Sequence, residues 1–349
     1  MASSGGGDNW AWLGLLKWSL NYVDGTSDSP VEPMSEEKRK FLEQVMNDGI
    51  VDPSKRLQEL LAQLTIDLKD TSKEDSIIEA LEEVRDICEQ IDFARYFVNM
   101  NGLLFLLGCI AQIEVAKSIR LECLKVLSTL AQNNPPVQQK LLESKGLDSL
   151  VGLYMTQSNE NDPQGSFRTL ILQALSCTVR GHAVGEESFC QSRVCRHVIE
   201  LSLNPESPLK VQRKGVFGLR ALITSDLSST QRVRDFSGCL NRCVELVEHQ
   251  DVEVREASLG LLLQVLQQRN SVDGVMSHAE QLAVVGVQKI QEIRQMKDDD
   301  KELHEHELDL WETLLVEFAK KPTDAVMVES PPLLLTGRPT DDPGTDLPQ

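Results

Sequence analysis

The sequence predicts an all-α protein built from repeated helices, on three observations. Between about residues 34 and 321, apolar residues recur at the three- and four-residue spacing of amphipathic helices, and few runs alternate as a strand requires. The helical segments themselves repeat along the chain. With 349 residues, the chain is long enough for several such units.

Four long segments with a shared pattern define the repeat. Aligning Arg120, Arg168, Gln212 and Arg255 near their starts gives intervals of 48, 44 and 43 residues. A shorter apolar helix and a polar turn precede each long segment, so the predicted unit is a short helix, a turn and a long helix. A helical period of this length is typical of armadillo and HEAT repeats. We therefore predict an armadillo/HEAT-like α-solenoid of about four full repeats with helical caps at both ends.

Changes in composition divide the chain into five predicted parts. Residues 1–33 form a flexible N-terminal segment around the apolar element WAWLGLLKWSL. Capping helices follow in 34–76, armadillo repeats in 77–270 and further capping helices in 271–321. Residues 322–349 hold six of the 14 prolines and a single basic residue, which predicts a disordered acidic tail.

Charge and hydropathy argue against several classes of protein. The chain carries 54 acidic and 35 basic residues, a net charge of −19, whereas a nucleic-acid binder needs a positive footprint. The most apolar stretch has only 15 residues, between Asp8 and Asp24, and contains Lys17. It is too short to span a bilayer, and no basic residue precedes it as in a secretory signal. We expect a monomeric cytoplasmic protein that binds neither nucleic acid nor membrane.

Motifs for metal binding and catalysis are incomplete. HEHEL at 304–308 has Leu308 where a zinc HExxH motif needs its second histidine. Cys239 and Cys243 are one helical turn apart but lack a second such pair, and in a reducing compartment the eight cysteines are expected to be small core residues. Phosphate-loop, dinucleotide and hydrolase signatures do not occur. We expect no catalytic residue, metal or cofactor.

Arginines near the starts of three long helices, Arg120, Arg168 and Arg255, have two interpretations. The one that we favour is structural, with each guanidinium bracing the stack through hydrogen bonds to nearby acidic or carbonyl groups. The other is a role in binding.

A basic group on the third long helix is harder to assign to stacking. Lys210, Arg213 and Lys214 place three cations within five helical residues and spread them over a wide arc. In a protein of charge −19, the group could contact an acidic partner or could serve the stack.

The N-terminal apolar element concentrates three of the four tryptophans. It could be a helix docked on the first repeat. It could equally be a mobile peptide that binds a groove on a partner, for which large apolar side chains on a Gly-rich tether are well suited.

Three stretches carry a family resemblance: LLKWSL, PMSEEKRKFLEQVM and LEEVRDICEQIDFARYFVNMNGLLFLL. Over about residues 13–320, the chain resembles the armadillo-type nucleotide-exchange factors of heat-shock protein 70 (Hsp70). The resemblance implies binding to the nucleotide-binding domain of this DnaK-class chaperone and promotion of ADP release. ATP would then rebind and the client protein would be released.

The resemblance also implies functional residues. The turn of Asp92, Phe93 and Ala94 would lie near the chaperone contact through Ala94, although relatives more often have Asn where this chain has Phe93. Lys214 matches a basic contact position, with Lys210 and Arg213 beside it. The residues Leu15, Leu16 and Trp18 would belong to an element that mimics a client peptide. The alternative function is a general armadillo scaffold without exchange activity.

Overall fold

The computed structural model describes residues 52–267, 275–297 and 301–320, together with the single positions Glu36 and Lys40. Within these ranges the regular elements are helices and no strand occurs, which confirms the all-α prediction. The N-terminal element with Leu15, Leu16 and Trp18, and the acidic tail, lie outside the described residues.

Sixteen α-helices have their bounds within the described ranges, and they are labelled here in chain order. They are α1 Pro53–Asp67, α2 Glu74–Cys88, α3 Ile91–Asn99, α4 Gly102–Ala111, α5 Lys117–Ala131, α6 Pro135–Glu143, α7 Gly146–Met155, α8 Ser166–Val179, α9 Ala183–Gln191, α10 Arg193–Ser202, α11 Leu209–Ile223, α12 Thr230–Asp235, α13 Ser237–Leu246, α14 Val252–Gln267, α15 Ala279–Arg294 and α16 Glu305–Ala319.

Each of the four repeats contains three helices, where the sequence predicted two. The repeats are α3–α5, α6–α8, α9–α11 and α12–α14, and the helix that the pattern did not reveal is the first of each. These first helices have only six to nine residues, too few to show a clear helical period. Three of them, α3, α6 and α9, also begin after no more than three residues that follow a long helix, so the pattern does not separate them from that helix.

The long helices stack into one continuous row, α2, α5, α8, α11, α14 and α16, in which each helix contacts the next. The second helices of the repeats, α4, α7, α10 and α13, form a parallel row in the same order. A single hydrophobic cluster runs between the rows, from Leu57 in α1 to Leu314 in α16. This arrangement is an α-solenoid.

Glycines at two equivalent positions allow the tight junction between the first and second helices. A Cβ on Gly102 would lie 2.3 Å from the ring of Phe97, and one on Gly146 would lie 2.6 Å from Leu141. The preceding residues, Asn101 and Lys145, have φ of 68° and 55°, which turns the chain sharply between the two helices. The 44-residue spacing of the glycines follows the repeat.

Taken alone, none of the helices within the described ranges is long and apolar enough to cross a bilayer. Only the pair α3 and α4 reaches that length and composition, across a bend of 76°.

Candidate functional site

The arginines at the starts of the long helices brace the stack. Arg120 donates from Nε to the carbonyl oxygen of Ile110 at 3.0 Å. Arg168 donates from Nη2 to the carbonyl oxygen of Asp162 at 3.0 Å and to Oδ1 of Asn159 at 2.7 Å. All three bonds tie the start of a long helix to the chain that precedes it. The structural interpretation of these arginines is confirmed.

The fourth repeat uses its arginine to hold the C-terminal cap. Arg255 donates from Nε and Nη2 to the two carboxylate oxygens of Glu307, each at 2.6 Å, and Glu307 is fully buried. His304 Nδ1 lies 3.0 Å from Oε2 of the same residue. Burial by itself would raise the pKa of Glu307, but the hydrogen bonds from Arg255 and His304 outweigh it and lower that pKa. Two residues of the HEHEL segment, His304 and Glu307, therefore help to hold the C-terminal cap against the fourth repeat.

The cysteines behave as core residues. All eight are free, and seven of them are buried, the exception being the half-buried Cys177. Burial raises the pKa of Cys239 to about 12 and raises that of Cys243 further, so both thiols stay protonated at neutral pH. In the ranges that the structure describes, no cluster of three or more His, Cys, Asp or Glu side chains is placed to hold a metal ion.

The row of long helices presents a groove, called here the long-helix groove, of about 480 Å³. It is lined by side chains from α2, α5, α8 and α11, among them Glu82, Leu121, Leu170 and Lys210. Near its start, the buried Glu122 pairs with Lys125 at 2.6 Å and with Arg85. The groove therefore has paired charges at its α2 and α5 end and the cation of Lys210 at its α11 end.

The structure divides the basic group into a brace and two contact candidates. Arg213 donates to both carboxylate oxygens of Asp251, at 3.1 and 2.5 Å, and pairs with Glu253 at 2.5 Å, so it holds α11 to the start of α14. These hydrogen bonds raise the pKa of Arg213. Lys210 is exposed and donates to Oγ of Ser166 at 2.7 Å.

Lys214 is half-buried, and it forms no hydrogen bond or ion pair with any residue in the described part of the chain. Its ammonium group lies close enough to the thiol of Cys177 to favour the thiolate, although burial dominates and raises the pKa of that cysteine. Of the three basic residues, Lys214 is therefore the one with the fewest hydrogen bonds and ion pairs to the rest of the described chain.

An exposed aromatic residue that the sequence reading missed lies on the same face of α11. Phe217 is 54% exposed, one turn beyond Lys214 and two turns beyond Lys210. Helical spacing puts all three side chains on one side of the helix. The sequence contains a sign of this exposure: Phe217 has helical spacing from Lys210 and Lys214, so it belongs to the face of α11 that carries the cations and not to the core face.

Ala94 lies in a different setting from the basic group. It belongs to the first turns of helix α3 in the first repeat, two repeats away from α11, and it is only 1% exposed. The exposed residues beside it are Asp92 and Arg95, whose charged groups lie 3.6 Å apart. A partner at this position would touch those two side chains rather than the methyl group of Ala94.

The fold defined by these features is an armadillo-type α-solenoid. Among solved structures, a designed armadillo repeat protein in complex with the peptide (KR)4 matches 77% of this chain and all of its own length, with a TM-score of 0.55 and 12% identity. An engineered protein matches 77% of this chain and 99% of its own, with a TM-score of 0.55 and 16% identity. These likenesses show the fold alone.

Comparison of sequences identifies the relatives. Residues 13–96 match the family model described as nucleotide exchange factor Fes1. Over 324 residues, the chain is 25% identical to Hsp70-binding protein 1 of Mus musculus, covering 90% of this chain and 87% of that protein. It is 26% identical to the Hsp70 nucleotide exchange factor FES1 of Debaryomyces hansenii over 175 residues, 50% of this chain and 58% of that protein. The resemblance to the armadillo-type exchange factors of Hsp70 is confirmed.

Proposed function

We propose that this protein is a co-chaperone that binds the nucleotide-binding domain of an Hsp70 and promotes the release of ADP. The observation that carries this proposal is the similarity to Hsp70-binding protein 1 over 90% of the chain. The protein acts as a monomeric, non-catalytic binding protein of the cytoplasm, without metal or cofactor.

The physical basis of exchange is linkage between two binding equilibria. A factor that binds nucleotide-free Hsp70 more tightly than ADP-bound Hsp70 must weaken ADP binding by the same factor, typically about 5- to 150-fold for coupled sites. The chaperone then releases ADP faster and rebinds ATP, and the client protein is released.

The long-helix groove and the exposed face of α11 form the contact in this proposal. Lys210 and Lys214 supply positive charge toward an acidic surface of the chaperone, and Phe217, one turn beyond Lys214, supplies an apolar anchor. Arg213 keeps α11 in place through Asp251 and does not itself contact the chaperone. The exposed neighbours of Ala94 form a second, separate point of contact.

The N-terminal element has its own role in the proposal. Leu15, Leu16 and Trp18, with the apolar residues around them, bind the client site of the chaperone in place of a client peptide. The solenoid and the element thus act on different domains of the same partner.

Release of a fluorescent ADP analogue from Hsp70, followed by stopped flow at matched salt, tests the function. The proposal predicts a release rate that rises with the concentration of this protein and then saturates. An unchanged rate, with a known exchange factor active in parallel and this protein folded, would contradict it. In that case a general armadillo scaffold would be the better account.

A further inference from the structure

A second concave site, called here the edge pocket, lies between α4 and α7 at the starts of α5 and α8. Its volume is about 600 Å³, within the range of pockets that enclose drug-sized ligands. Leu107, Ile110, Leu150 and Leu153 form apolar walls, and Ile113 at the rim is 80% exposed. It shares no lining residue with the long-helix groove.

The edge pocket combines apolar walls with two cations over an aromatic ring. The ring of Phe167, which is 1% exposed, lies 4.8 Å from the guanidinium carbon of Arg120 and 6.0 Å from Nζ of Lys117. Burial lowers the pKa of Arg120, as expected for a guanidinium that has lost part of its hydration. A partly desolvated cation in an apolar pocket attracts the faces of aromatic rings, those of tryptophan most strongly.

We propose that the edge pocket binds residues 10–20 of the same chain. This segment holds three of the four tryptophans and, apart from Lys17, no charged residue. Its side chains match the apolar walls, and an indole ring supplies the aromatic face that Arg120 favours. The nearest acidic residues on either side of the segment, Asp8 and Asp24, complement Arg120, since Lys117 already pairs with Asp162 at 3.4 Å.

A connection of 31 residues, 21–51, joins the segment to the solenoid. Helix α1 begins at Pro53 and packs against α2 and α3, beside the first repeat. Since Glu36 and Lys40 are helical, only residues 21–33, predicted from the sequence to be flexible, are counted as coil, and such a coil spans about 20 Å on average. A tether of this kind raises the local concentration of the segment to about the millimolar range. Even a weak pocket would then be occupied within one molecule.

Docking in the same molecule withholds the tryptophans from other apolar surfaces. Because the edge pocket and the long-helix groove have separate linings, a partner can occupy the groove whether or not the segment is docked, and the segment can bind a partner only after it leaves the pocket. The inference does not depend on the proposed exchange function and is tested without a chaperone.

Gly152 provides a variant that blocks the pocket without disturbing the fold. It lines the edge pocket from α7, and a Cβ added there would meet no atom within 4 Å. Gly152→Glu therefore places a carboxylate in the pocket, and it replaces glycine by a better helix former. Gly108→Glu is the matched control, since Gly108 lies at the same point of α4, 44 residues earlier, has the same free space and does not line the pocket.

Quenching of tryptophan fluorescence by acrylamide in the full-length chain measures the docking. The fourth tryptophan, Trp311, is fully buried and contributes a constant protected signal. We expect the wild-type protein and Gly108→Glu to be quenched several-fold less than a free peptide of residues 10–20. Gly152→Glu should be quenched nearly as readily as that peptide, with an unchanged circular-dichroism melt.

Two results would overturn the proposal. One is quenching of the wild-type tryptophans equal to that of the free peptide, which needs no variant to interpret. The other is protection that grows with protein concentration, because the occupant would then come from a second copy of the chain.

Discussion

Arg255 and Glu307 form a two-pronged ion pair across the junction between the fourth repeat and the C-terminal cap. Both hydrogen bonds measure 2.6 Å, and the two residues are 8% and 0% exposed. Residues 52 positions apart are thereby fixed in one geometry, since a guanidinium and a carboxylate pair best in a single plane. The contact therefore holds the cap helix α16 against α14, the last long helix of the repeats.

Removal of one partner of this pair should strongly destabilise the protein. Glu307→Ala leaves the guanidinium of Arg255 buried without its counter-charge, and such changes cost about 3–5 kcal/mol. Chemical denaturation at pH 7 measures the loss. The matched control is Glu312→Ala on the same helix, which breaks the exposed pair of Glu312 with Arg294 of α15 and should cost less than about 1 kcal/mol. Equal losses in the two variants would contradict the account.

The contribution of Glu307 should fade in acid. Its pKa in the folded protein is lowered from the usual 4.5, so the unfolded chain takes up the proton first as the pH falls. The stabilisation is complete above about pH 5.5 and is lost progressively as the pH falls through 4.5 to the lowered pKa. The difference in unfolding free energy between the wild type and Glu307→Gln should therefore shrink between pH 7 and pH 3.5. A constant difference would argue against an ionised Glu307.

Charge reversal on the exposed face of α11 should weaken binding to Hsp70 and leave the fold intact. Lys210→Glu with Lys214→Glu removes attraction toward an acidic partner. Stability should change little, because Lys210 is exposed and the half-buried Lys214 forms no ion pair with any described residue. Titration at two salt concentrations should show the largest loss of affinity at low salt. Lys69→Glu is the control, because Lys69 is an exposed residue just after the end of α1. Unchanged affinity of the double variant would remove this face from the contact.

Arg213→Ala should lower the stability of the protein, whereas the lysine variants should lower its affinity for Hsp70. Loss of the pairs with Asp251 and Glu253 loosens the packing of α11 on α14, so the melting temperature should fall. Thermal denaturation followed by circular dichroism measures the fall. An unchanged melting temperature, with weaker binding to Hsp70, would instead make Arg213 a direct contact.

Phe217→Ala should reduce affinity for Hsp70 by about tenfold or more, as expected when an aromatic anchor of an interface is truncated. Stability should change little, because the side chain is 54% exposed in the free protein. Calorimetric titration gives the affinity. Val284→Ala in α15, a residue 61% exposed, is the control for removal of an exposed apolar side chain. Similar affinities for the two variants would show that Phe217 is not an anchor.

The sequence predicted the features that depend on local spacing. The alignment of Arg120, Arg168 and Arg255 gave the repeat, and the same side chains proved to brace it. Six- to nine-residue helices such as α12 escaped notice because they carry too few positions for a period. The pairing of Arg213 with Asp251, 38 residues away, depends on how adjacent repeats stack, which no local pattern contains.

The candidate site was predictable only in part, for the same reason. Lys210 and Lys214 were found as a charge cluster in the sequence, whereas Phe217 was not singled out, because its 54% exposure is a property of the folded stack. Ala94 was carried over from a family resemblance, and its burial shows that position in a motif does not determine which side chain reaches the surface.

The reciprocal effect of this protein and ADP on Hsp70 tests the central claim most directly. Calorimetry would give the affinity of this protein for nucleotide-free and for ADP-bound Hsp70, and the affinity of Hsp70 for ADP with and without this protein. The account predicts tighter binding to the nucleotide-free chaperone, with a ratio equal to the loss in ADP affinity. Equal affinity for the two forms of the chaperone would contradict it.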